Sequence, residues 1–348
     1  MGDKTKIQWT EATWNPLRGC SKVSAGCRNC YAESVANRFS GPGQPYEGTI
    51  EDGRWSGQVR LVPEVLDQPL RWQRPRLIFV NSMSDLFHED VPFDYIDQVF
   101  AVMALASRHT FQILTKRPDR MLEYMTKSYL PHGIDKLVDI APWMEQHGWI
   151  SPEDAANIAP PGSTLPKWPE WPLPNVWLGV SVEDQATADE RIPLLLQTPA
   201  AVRWLSCEPL LGSVDLSSIE YNGEAVNVLS GSYNNRFIKT FLLPSQRINW
   251  VVVGGESGPH ARPMHLDWAR EIRDQCIVAE VPFYFKQWGE WVQIHPLRCN
   301  EPGIKGKEWY NFDPDTAVCR IGKKAAGRLL DGREWNEMPV QAKEAVES

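Results

Sequence analysis

Apolar residues in this chain come in short runs that stop at polar or Gly/Pro-rich residues, with longer stretches of helical spacing between them. The runs Leu77–Asn81, Phe111–Thr115, Val176–Val182, Val202–Ser206, Ile248–Gly254 and Pro282–Lys286 predict β-strands, and an earlier strand is expected at Ile7–Thr13. Phe93–Ser107 carries apolar residues at helical intervals and Pro118–Lys127 opens on Pro-Asp; both predict helices, as do Asp184–Gln197 and Leu266–Ala279. Strand then helix, repeated six or seven times, predicts an α/β fold: a parallel (βα) barrel of the partial TIM type, with a doubly wound open sheet as the alternative.

Three regions break the alternation. Ser40–Arg60 is Gly-rich and polar and predicts a loop or hairpin. Leu130–Pro174 ends in a Pro/Trp-rich run from Pro160 to Pro174 that cannot be regular helix, so it reads as an insertion on one barrel face. Ser213–Arg247 is a second insertion, and after Trp288 the pattern gives way to a tail rich in Lys, Gly and Trp. The expected division is a barrel over residues 1–290, with insertions at about 130–174 and 213–247, and a C-terminal extension over 291–348 packed on it.

Barrel sites form at the C-terminal ends of the strands, and polar residues gather there repeatedly. Asp85 follows the Leu77 run, Lys116 and Arg117 the Phe111 run, Glu183 the Val176 run and Glu208 the Val202 run. Gly254, Gly255 and Glu256 close the Ile248 run, and Lys286 ends the last. These nine residues are the expected cofactor-binding set. Lys116, Arg117 and Lys286 would meet an anionic group, Glu183 or Glu208 would accept from hydroxyls, and the glycines would let backbone approach a ligand.

The densest candidate chemistry is in Asn15-Pro-Leu-Arg-Gly-Cys20-Ser-Lys-Val-Ser-Ala-Gly-Cys27-Arg-Asn-Cys30-Tyr-Ala, where Cys20, Cys27 and Cys30 have the spacing Cys-x6-Cys-x2-Cys. The N-terminus has no apolar secretory core, so a cytoplasmic protein is expected, and disulfides are not expected there. A tight cysteine group then points to metal or redox chemistry. Zinc would need a fourth ligand; a [4Fe–4S] cluster on three cysteines would keep one iron open.

This stretch resembles the cluster loop of radical S-adenosylmethionine enzymes, in particular the branch with the spore photoproduct lyases, although the first gap is three residues longer than usual there. Val176–Asp184, Arg203–Leu210, Val252–Ser257, Pro282–Gly289 and Gly322–Arg333 resemble an uncharacterised phage and prophage family recognised by a three-Cys motif. The resemblance implies an enzyme of a bacterial host's cytoplasm. Cys20, Cys27 and Cys30 would hold the [4Fe–4S] cluster, S-adenosylmethionine would be the cofactor, and a flavodoxin or ferredoxin would be the reductant. A 5′-deoxyadenosyl radical would act on an unidentified substrate, for which a nucleic-acid base is the candidate. The alternative is a non-enzymatic zinc protein that binds nucleic acid or a partner.

Charge and composition narrow this picture. Thirty-six Lys and Arg against 44 Asp and Glu give a net charge of -8, which argues against broad attraction to a polyanion but leaves a local site open. No apolar run nears the roughly 20 residues of a membrane span. Sixteen tryptophans mean that aromatic surfaces pack or stack at many places. Neither a phosphate-binding Gly-Lys-Ser/Thr loop nor a Gly-x-Ser-x-Gly elbow occurs.

Overall fold

The computed structural model describes residues 5, 7–126, 145–146, 171–233, 246–294 and 303–340. Seven strands lie side by side in chain order, all parallel: β1 (Ala12–Trp14), β2 (Leu77–Val80), β3 (Thr110–Thr115), β4 (Val176–Ser181), β5 (Val202–Cys207), β6 (Trp250–Gly254) and β7 (Phe283–Gln287). The sheet curls strongly into an open, incomplete barrel, the expected α/β partial TIM-type architecture rather than a flat doubly wound sheet. Helices α1 (Tyr31–Asn37), α2 (Phe93–Leu105), α3 (Pro118–Thr126), α4 (Gln185–Gln197) and α5 (Leu266–Val278) alternate with the strands.

Successive side chains of a strand point to opposite faces, and here the two faces have separate cores. Outward residues such as Ile78, Val80, Phe111, Ile113, Leu178, Leu205, Val251 and Phe283 pack under the helices. In α2, Ile96, Val99, Phe100 and Met103 follow at three- and four-residue steps and are all buried in that layer. Each such side chain contributes about 1.5–3 kcal/mol by leaving water. Inward residues form an aromatic plug of Trp9, Phe79, Trp177, Trp204, Trp250 and Tyr284. Trp9 meets Phe79, Trp204 and Trp250 edge-on with ring centres 5.0, 5.2 and 5.5 Å away. This use of Trp9 displaces the first strand from its expected place at Ile7–Thr13. The chain turns at residues 8–9 to insert the indole, Thr10 Oγ1 donates to the Leu77 carbonyl (2.8 Å), and the ladder starts only at Ala12.

The interruptions take local forms. Within Ser40–Arg60 lies the small hairpin Ile50–Glu51/Arg54–Trp55, and the second insertion contains the hairpin Ile219–Tyr221/Glu224–Val226. Most of the expected insertion at 130–174 lies outside the described residues. After β7, Trp291–Gln293, Trp309–Asn311 and Ala317–Arg320 form an antiparallel three-stranded sheet. The chain then returns to β7: Phe285 donates its N–H to Trp335 O (3.0 Å), and Glu337 donates to Phe283 O (3.2 Å). Among the described residues no helix is long and apolar enough to cross a membrane.

Candidate functional site at the barrel mouth

The inward register runs up to and past the strand ends. Two residues beyond each inward position of the strand lie Lys116 after Leu114 (β3), Glu183 after Ser181 (β4), Glu208 after Ser206 (β5), Glu256 after Gly254 (β6) and Lys286 after Tyr284 (β7). Three carboxylates and two ammonium groups therefore ring one mouth, and their surroundings differ.

Glu183 is fully buried. Its carboxylate takes a short hydrogen bond and ion pair from Lys116, and Arg191 of α4 approaches the same oxygen at 3.5 Å. Ser24 Oγ and the Gly26 N–H (2.6 Å) also donate to it. Burial pushes this carboxyl up, but Lys116, Ser24 and the Gly26 amide together hold it below the ordinary carboxylate value. The local sequence fixes the geometry. Asp184 and Thr187 form a reciprocal cap that starts α4 immediately after Glu183, and Arg191 then returns two turns later. Gly26 must lack a side chain, since a Cβ there would come within 2.5 Å of the Glu183 carboxyl carbon.

Glu256 holds the other end of the same loop. Its carboxylate accepts from Arg262 Nη2 (2.6 Å), from the Arg262 N–H (2.8 Å) and from Asn29 Nδ2 (3.0 Å), and Asn29 also donates to the His260 carbonyl. Burial raises this carboxyl, and the Arg262 and Asn29 bonds bring it below its ordinary value. The cysteine loop is thus docked across the mouth on two carboxylates.

Asp85 and Arg117 form a separate network. Asp85 accepts from the Phe87 N–H (3.0 Å), Thr115 Oγ1 (2.7 Å), the Lys116 N–H (3.1 Å) and Arg117 Nη1 (3.2 Å). Arg117 also donates to Glu89 (2.7 Å) and Ser21 Oγ (2.6 Å). Ser21 Oγ lies 2.8 Å from His88 Nε2, a pairing that resembles a nucleophile and its base. The protons exclude that role. The Asp90 N–H donates to His88 Nδ1, so Nε2 carries the ring proton and donates to Ser21, whose own proton goes to Glu89. Burial, then Arg117, keep the His88 pKa below its ordinary value. This network fastens Ser21, and Cys20 beside it, to the loops after β2 and β3.

Glu208 and Lys286 are different. They pair at 2.9 Å with side-chain exposures of 13% and 23%, and Ser206 Oγ makes only a long contact with Glu208 (3.4 Å). Tyr31 opens α1. The residue is 56% exposed, and its hydroxyl donates to the Ser82 carbonyl (2.8 Å). Burial of the hydroxyl end, with Cys30 and then Glu208 adding, pushes the phenol above its ordinary value, which puts Glu208 within electrostatic reach of Tyr31. Nearby, one residue past β2, Asn81 is 4% exposed with φ of 59°, and neither end of its side-chain amide has a partner among the described residues. Gly254 and Gly255 meet the protein's own chain. A Cβ on Gly254 would lie 2.5 Å from Glu208 Oε1, and one on Gly255 would lie 1.9 Å from the Trp288 carbonyl oxygen.

The expected site residues therefore divide. Asp85, Lys116, Arg117, Glu183 and Glu256 are engaged with one another or with the loop, whereas Glu208 and Lys286 face each other with surface to spare. Ser24, Gly26, Asn29, Arg191, Arg262, Tyr31 and Asn81 also shape the mouth and were not expected. Their only sequence signals are the cap Asp184-x-x-Thr187 and the aromatic after Cys30.

Comparison with known proteins places the chain in a family. A family model described as "Protein of unknown function (DUF5131)" matches residues 4–339. The chain belongs to this family. Neither a curated protein nor a solved structure matches it. The DUF5131 match replaces the expected radical S-adenosylmethionine-like phage family, and it brings no activity with it.

The geometry corrects the chemistry expected of Cys20, Cys27 and Cys30. Among the described residues no group of three or more His, Cys, Asp or Glu side chains is placed to hold a metal ion. A [4Fe–4S] cluster does not fit this arrangement, and neither does zinc. The expected S-adenosylmethionine chelation, the 5′-deoxyadenosyl radical and the need for a flavodoxin or ferredoxin fall with the cluster. The physical reason is that each cysteine is held by a different part of the fold. Cys20 belongs to the Arg117 network and donates its S–H to the Ser21 carbonyl (3.4 Å), whereas Cys27 ends a 3-10 turn docked on Glu183 and Cys30 precedes α1. Burial, then Asp85, push the Cys20 thiol up to about 12.

Proposed function

We propose that the barrel mouth binds a purine nucleoside of the guanine type, in the cytoplasm, between the Tyr31 ring and the Glu208–Lys286 pair. The observation that carries this reading is that pair, an acceptor and a donor 2.9 Å apart and partly exposed, with the exposed Tyr31, its hydroxyl tethered, within electrostatic reach of Glu208. The pairing edge of guanine offers two adjacent N–H donors and then a carbonyl. Glu208 accepts from the first two and Lys286 donates to the third, while the base stacks on Tyr31. Stacking of a base on an aromatic side chain contributes about 1–3 kcal/mol and requires no polyanion. The net charge of -8 favours a free nucleoside over a long nucleic acid.

Calorimetry with guanosine, inosine, adenosine and cytidine tests the reading. Guanosine should bind best, inosine should lose affinity with its missing amino group, and adenosine and cytidine should be weakest. Tyr31→Ala should cost about 1–3 kcal/mol of guanosine affinity, and Glu208→Gln should abolish the preference for guanosine over inosine. Equal affinity for all four nucleosides, or none, rejects it.

A further inference from the structure

The nucleoside reading leaves the thiols without a role. Cys27 closes the short 3-10 helix Ala25–Cys27, Arg28 keeps helical angles (φ -57°, ψ -46°), residues 28 and 29 form a turn, and Cys30 precedes α1. A four-residue turn brings its end Cα atoms within about 7 Å, the span that a disulfide bridges. Both thiols are free and partly exposed, and the loop that carries them is held on each side, by Gly26 on Glu183 and by Asn29 on Glu256. Cys27 Sγ has only a long contact with Ser24 Oγ (3.8 Å). Cys20, by contrast, gives its S–H to the Ser21 carbonyl within the Arg117 network.

We infer that Cys27 and Cys30 form a dithiol–disulfide couple that exchanges with low-mass disulfides, and that Cys20 stands outside it. In the first step one thiolate of the pair attacks a disulfide RS–SR, forming a mixed disulfide and releasing RS⁻, which takes up the proton that the attacking thiol lost. In the second step the other thiolate attacks the protein sulfur of the mixed disulfide. This forms the Cys27–Cys30 bond and releases the second RS⁻, which is protonated in turn. The protein loses two electrons and two protons, and one RS–SR becomes two RSH. A Cys-x-x-Cys pair with both sulfurs accessible is suited to this exchange. The inference does not depend on the nucleoside reading.

The test uses the full chain, reduced and then exposed under native conditions to oxidised glutathione, with peptide mapping by mass spectrometry. The expected product is a Cys27–Cys30 disulfide that dithiothreitol reverses. Cys27→Ser and Cys30→Ser should each arrest as a mixed disulfide with glutathione on the remaining thiol. Cys20→Ser should form the Cys27–Cys30 bond at a rate within about twofold of the parent. Cys20 appearing in the disulfide as often as Cys27 or Cys30, or a Cys27–Cys30 bond appearing only after denaturation, overturns the inference.

Discussion

Two sides of one rim can be compared directly. On the β3–β4 side, Lys116 and Glu183 face the mouth; on the β5–β7 side, Glu208 and Lys286 do. Each is an ammonium–carboxylate pair at inward positions at or just past the strand ends. Glu183, however, is buried under the cysteine loop and accepts from Ser24, Gly26 and Lys116 with Arg191 close by, while Glu208 has Lys286 and little else. The first pair fastens a loop to the barrel. The second keeps bonding capacity for something from outside. The same residue types at equivalent positions therefore take different roles according to how many of their lone pairs the protein already uses.

The largest effect should come from breaking the closed side. Glu183→Gln leaves Lys116 and Arg191 beside a neutral amide in a dry site and should cost about 3–5 kcal/mol in urea unfolding. The same change at Glu208, in a partly exposed pair, should stay within about 1 kcal/mol. Similar losses at the two positions would erase the distinction. A smaller effect concerns acid. Glu183 and Glu256 are both held below the ordinary carboxylate pKa of about 4.3. The stability they contribute is complete above that value and is lost as pH falls through their lower folded values, because the unfolded chain takes up protons first. Melting temperature followed from pH 6 downward should drop in the parent and drop less steeply in Glu256→Gln; parallel curves would show that the loop anchor carries no linkage.

Much of the fold can be read from the sequence because burial on both faces of a parallel strand leaves an unbroken apolar run. Leu77–Val80, Val176–Ser181 and Val202–Cys207 fall within a residue or two of expectation. The first strand was displaced because Trp9 is used as a plug, a tertiary demand that no local pattern encodes. Helix α1 was missed because its seven residues follow directly on a segment read for its cysteines. The polar strand ends were visible one by one, but their pairing was not, since Lys116 meets Glu183 and Glu208 meets Lys286 only once the sheet has curled. The cysteines misled for the complementary reason. Three thiols within eleven residues suggest one centre, yet the chain between them is fixed at three places on the rim: Ser21 on Arg117, Ser24 and Gly26 on Glu183, and Asn29 on Glu256.

The return of residues 335–337 to β7 has a consequence for how this molecule meets others of its kind. An open barrel of seven strands has two lateral edges, and each is a row of amide groups onto which a foreign strand can add. Here the protein's own tail occupies the β7 edge, with Asn336 bridged to Tyr284 in the antiparallel sense. The segment after the barrel thus acts as a resident edge guard. The tail cannot be trimmed back past Trp335 without turning the last strand into a template for aggregation.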